Sequence, residues 1–127
     1  MRRSELMAYL VGAAVAGTIL VLPYAARAVA LAIAPDVFPV SHAPFFLLPV
    51  AWGLWNWLWV RRRLRVGIGL WGGLLGLGLG AGMNLILAAV GLWFPAALLL
   101  PIALPPLYYL LWRFLVGPLN EALGAEG

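Results

Sequence analysis

The chain has no cysteine and no lysine, and it holds one histidine and four carboxylates in 127 residues. Without cysteine there is no disulfide, no thiol redox chemistry and no iron–sulfur ligation, while the redox compartment stays undetermined. A single histidine, His42, cannot by itself build a zinc site or a bis-histidine haem, so no metal or cofactor is expected. Every basic side chain is arginine, which suggests a G+C-rich genome more than any mechanism. The carboxylates stand at the ends or in a loop and no serine lies near a base, so the expectation is a protein that is not an enzyme. Between Arg65 and Arg113 charge is missing altogether.

What fills that gap is apolar. With 65% hydrophobic and 9% charged residues the composition leaves the globular range and enters the membrane class. Four apolar segments stand out, at about 6–31, 43–60, 66–90 and 95–116, each near or above the ~20 residues that one crossing needs. None alternates as a barrel strand does, and lipid leaves no water for open backbone groups, so all four are expected to be helices. The fold class expected is all-α: one polytopic domain over 1–127, a four-transmembrane-helix bundle with short loops.

Arginine placement predicts the orientation. Arg2 and Arg3 precede the first segment, Arg61, Arg62, Arg63 and Arg65 fill the link between the second and third, and Arg113 lies near the end of the fourth. These belong on the cytoplasmic side, which puts both termini inside, in the inner membrane of a bacterium. The opposite links, APDVFPVSH and GLWFP, hold no arginine. The net charge of +4 reads as topology, not as a nucleic-acid surface. The N-terminus also resembles a cleavable signal peptide, with MRRSE, an apolar run and YAARA. Its run from Leu6 to Leu22 exceeds the ~7–15 residues of a signal core, so retention is expected, and cleavage would leave three spans.

Prolines divide the helices into two kinds. Pro35, Pro39 and Pro44 punctuate the outer loop, with Ser41 as N-cap of the second span. Pro101, Pro105 and Pro106 fall inside the fourth span, where each removes a backbone donor, so that helix should kink or break. The tail GPLNEALGAEG is short and mixed, and a frayed interfacial turn is expected there.

On the third segment Gly69, Gly73, Gly76, Gly80, Asn84 and Ala88 follow spacings of three and four and form one small-residue face. Such a face admits close approach of another backbone, either the chain's own first or fourth helix or a helix of another protomer or protein. The segment GLGLGAG is similar to the alternating-glycine helix of ATP-synthase rotor-ring subunits. Those carry an ion-binding carboxylate in the partner helix, and no Asp or Glu lies within a span here. Size and layout also look like small multidrug transporters, whose first helix embeds a Glu that this chain lacks. Fluoride channels are similar in size, but their motifs are not in this sequence.

Four candidate sites remain. Asn84, an amide in hydrocarbon, must find a partner. It lies at about the depth of Pro101 across the tight turn near Trp93, and the prolines free the carbonyls of Ala97, Pro101 and Ile102, so donation to one of these is expected. This is either interhelical glue or a ligand site lined by broken-helix carbonyls. Tyr24 and Arg27 share a face near the outer end of the first segment, where Arg27 snorkels to headgroups, pairs with Asp36 or meets an anionic ligand. His42 and Asp36 sit in the outer loop. Trp52, Trp55 and Trp59 share a face with Asn56, either as an interfacial belt or as the walls of a lipid or quinone groove. Beside them the cluster from Arg61 to Arg65 attracts anionic lipids.

A pump driven by protons or sodium embeds an ionisable group, and only Arg27 and Arg113 come near hydrocarbon. The leading expectation is an accessory or assembly subunit of a membrane complex, docking through the glycine face. The alternative is a homo-oligomeric channel or carrier with its site at Asn84, Tyr24, Pro101 and the broken fourth helix.

Overall fold

A computed structural model describes residues 2–33 and 47–125, the side chains at 26, 27, 30 and 31 excepted. Asp36 and His42, with Pro35, Pro39, Ser41 and Pro44, lie outside the described residues, as does the side chain of Arg27. The chain is an all-α bundle of about four helical segments. Among the described residues three helical stretches, Arg3–Ala25, Ile68–Ala89 and Pro95–Ala122, are long and apolar enough to cross a membrane.

The first segment runs as α1 (Arg3–Ile19) and α2 (Val21–Ile33). Pro23 has no N–H for the carbonyl of Ile19, four residues earlier, and the chain breaks step at Leu20 between the two helices. The second segment is α3 (Leu48–Arg62) and the third is α4 (Ile68–Ala89). α4 ends where the Leu92 N–H reaches back to the Leu87 carbonyl at 2.9 Å around Gly91, whose φ of 72° suits a residue without a side chain. The fourth segment changes its winding three times. A 3₁₀ turn (Pro95–Leu99) leads into α5 (Leu100–Leu111), then a π-helical stretch (Trp112–Val116), then α6 (Gly117–Ala122).

The π-helical stretch has a packing cause. Tyr108, Trp112, Val116 and Asn120 recur every fourth residue and all are buried. In an α-helix turning about 100° per residue, that spacing drifts about 40° at each step. The wider i→i+5 turn takes up the drift and keeps the four on one face. The tail is therefore not a frayed turn: it forms α6, with Asn120 fully buried.

Two antiparallel hairpins result. In the first, α1 packs on α3, with Gly12 against the backbone of Trp52 and Gly53 against the ring and carbonyl of Tyr9. In the second, α4 packs on α5. Gly69 meets the ring of Tyr109, Gly72 the side chain of Trp112, Gly76 the Leu104 carbonyl and Gly80 the backbone at Pro101. Dispersion between closely apposed backbones is the main attraction open to helices that both prefer lipid to water. Val11, Val15 and Ala16 of α1, Trp52 of α3, Leu75 of α4, and Tyr108, Trp112 and Val116 of the fourth segment form the core that joins the hairpins.

Candidate functional site

The polar side chains buried in the bundle collect near the end that carries the arginines. Asn56 of α3 donates to the Ala8 carbonyl at 2.7 Å and to Asn120 Oδ1 at 2.8 Å, and Asn120 Nδ2 donates back to Asn56 Oδ1 at 2.8 Å. Both residues are fully buried, so three elements, α1, α3 and α6, are fixed to one another by a reciprocal amide pair. In a low-dielectric interior such a pair is valuable because either amide alone would stay desolvated and unpaired.

At the neighbouring position of α3 a second reciprocal pair holds the hairpins together. Trp55 Nε1 donates to the Trp71 carbonyl at 2.8 Å and Trp71 Nε1 to the Trp55 carbonyl at 3.0 Å. Their rings stack with centroids 4.2 Å apart. Further in, Trp52 packs edge-on against Tyr108 and tilted against Trp112, and its Nε1 donates to the Tyr108 hydroxyl at 3.2 Å. Trp59 donates to the Val66 carbonyl at 3.1 Å across the arginine turn.

The tryptophan face read from the sequence is thus divided. Trp52 and Asn56 are core residues, and Asn56 has both N–H groups and its carbonyl engaged inside the bundle instead of facing an open lipid or quinone groove. Nothing in the spacing pointed to Asn120, 64 residues away. Trp71 and Gly72 were equally unmarked, but Gly12 had a signal: Ala8, Gly12 and Ala16 are small residues four apart, and all three are buried.

Asn84 makes the bond that the proline spacing implies. Its amide donates to the Ala97 carbonyl at 2.7 Å and to the Gly80 carbonyl at 2.9 Å, and its Oδ1 accepts from Trp93 Nε1 at 2.9 Å. Ala97 is available because its α-helical donor would be residue 101, a proline; the Leu100 N–H turns to it instead in a 3₁₀ bond. Both donors of Asn84 are thereby used within the hairpin. Pro101 itself stands in the first turn of α5, where a missing N–H is tolerated. Tyr24 lies on α2, its backbone N–H on the Leu20 carbonyl.

Of the glycine face, Gly69, Gly73, Gly76 and Gly80 all turn to the chain's own fourth segment. Gly78 and Gly82, one turn apart on another side of α4, have nothing within 4 Å of where a Cβ would stand. Arg61 and Arg62 end α3 and Arg63 and Arg65 follow in the α3–α4 turn, with the Arg61 guanidinium 4.8 Å from the Trp57 ring. Arg113 donates to the Tyr109 hydroxyl at 2.8 Å. No group of three or more His, Cys, Asp or Glu side chains suited to a metal occurs among the described residues. No family model, no curated protein and no solved structure matches this chain.

Proposed function

We propose that this is a four-span inner-membrane protein of a bacterium, not an enzyme, which serves as an accessory or structural subunit of a membrane complex. The carrying observation is the division of the glycines on α4. Those facing α5 are closed by the chain itself, whereas Gly78 and Gly82 leave bare backbone beside exposed Leu74 and Leu85. The docking surface is therefore this second face, not the stripe through Gly76. A small-xxx-small pair flanked by leucines suits a transmembrane helix of another protein that packs closely.

The interior favours a scaffold over a channel or carrier. Asn84 spends both N–H groups on the hairpin's own carbonyls, and the Trp52, Tyr108 and Trp112 rings fill the centre of the bundle. Arg2, Arg3, Arg61 to Arg65 and Arg113 all lie toward the end where α1 begins and α6 ends, which suits a cytoplasmic placement of both termini against anionic headgroups.

Affinity purification of the tagged chain in mild detergent tests the reading. A defined second protein should accompany the wild type and be lost from the double variant Gly78→Leu, Gly82→Leu while the variant stays folded. Equal recovery of that protein with both forms would remove the docking face from the proposal.

A further inference from the structure

An open apolar groove of about 640 Å³ runs along the junction of α4 and α5, and Leu74 is common to its rim and to the neighbouring face of Gly78 and Gly82. Val66, just ahead of α4, and Leu70, Gly73, Leu74 and Leu77 of α4 line one side, Pro105 and Tyr109 of α5 the other. Gly73 makes its floor: a Cβ there would stand 3.4 Å from the Pro105 carbonyl, so the missing side chain leaves space without a clash behind it.

The groove has one charged end. At Tyr109 it meets Arg113, whose guanidinium bonds the hydroxyl at 2.8 Å and lies 5.5 Å from the Phe114 ring. At Val66 it begins one residue after Arg65. From Ile68, where α4 begins, to Leu77 the helical rise is about 14 Å, and Val66 extends the groove beyond the helix start. One hydrocarbon leaflet is ~15 Å deep, half of the ~30 Å core. The groove is thus as long as one leaflet, apolar along its length and cationic where headgroups lie.

We propose that it binds one anionic phospholipid, with an acyl chain against Gly73 and Leu77 and the phosphate beside Arg113 and Arg65. The hydroxyl of Tyr109 holds the Arg113 guanidinium at the mouth, where a planar donor fork suits phosphate oxygens. The inference rests on the membrane-spanning part of the function proposed above and not on the docking face.

Native mass spectrometry of the full chain in mild detergent, with equal phosphatidylglycerol and phosphatidylcholine of the same acyl chains, provides the test. One phosphatidylglycerol should stay bound in preference to phosphatidylcholine. Arg113→Gln should cut its retention about fivefold, the equivalent of about 1 kcal/mol for one arginine near the surface, and leave phosphatidylcholine unchanged. Gly73→Leu, which fills the floor, should reduce both lipids. Leu70→Trp, at an exposed position on the groove's lining, repeats that test if Gly73→Leu does not fold. Phosphatidylglycerol retention that is equal in wild type, Arg113→Gln and a folded groove-filling variant would overturn the site, as would equal retention of the two lipids by the wild type. A wild type that retains the lipid but brings no second protein with it would count against the docking face alone.

Discussion

Asn56 and Asn120 exchange two hydrogen bonds of 2.8 Å across the bundle, each amide serving the other's carbonyl. Removing one member leaves the other buried without its partner. Asn56→Leu should therefore lower unfolding stability by about 2 kcal/mol, and Asn120→Leu by about as much. The double variant should lose clearly less than the sum. Reversible unfolding in mixed micelles measures all three, and strict additivity would argue against the pair.

The glycines of α4 should separate into two classes under the same measurement. Gly76→Ala places a methyl 2.6 Å from the Leu104 carbonyl and should destabilise the chain, because two helix backbones must part. Gly78→Ala meets nothing within 4 Å and gains helix propensity, up to about 1 kcal/mol. Equal losses at both positions would mean that α4 packs differently.

Asn84→Leu should cost about 1 kcal/mol, the scale of interhelical hydrogen bonds in membranes. It removes the contact to Ala97 and leaves Trp93 Nε1 without its acceptor. Trp93→Phe in the Asn84→Leu background should then cost little more. Wild-type stability in Asn84→Leu would show that the amide holds nothing together.

Orientation is open to a direct check. Reporters active only in the cytoplasm, fused after Gly127 or ahead of Met1, should both be active. Replacing Arg61, Arg62, Arg63 and Arg65 with Gln should yield mixed orientations, because these four supply most of the arginine bias. A silent reporter at either end of the wild type would refute the arrangement.

The parts of this structure that follow sequence periodicity were legible in it. Gly69, Gly76 and Gly80 share a face at helical spacing, and that face is where α5 lies. Asn84 and Ala97 were also within reach, since a short turn fixes the register of the two helices and Pro101 removes one donor. From sequence Trp52 belongs to an interfacial belt or a groove wall, because a tryptophan beside arginines looks the same whether it faces lipid or core. What decides is Gly12, 40 positions earlier, which lets α3 approach α1 closely enough to enclose it. The Asn56–Asn120 pair had no local signal, since its register depends on a π-helical stretch that propensities do not encode. Gly78 and Gly82 belonged to the same glycine-rich run as Gly76, and only the rotation of α4 against α5 tells the closed glycines from the open ones.

The mass of the intact particle released by mild detergent bears most directly on the role of that open face. The wild-type particle should contain this 13.7 kDa chain together with a different protein, and the chain alone should remain when Gly78 and Gly82 are both replaced by Leu; this is the docking role. A wild-type particle holding a single copy of the chain with nothing but lipid and detergent, or holding several copies of it and no other protein, would contradict it.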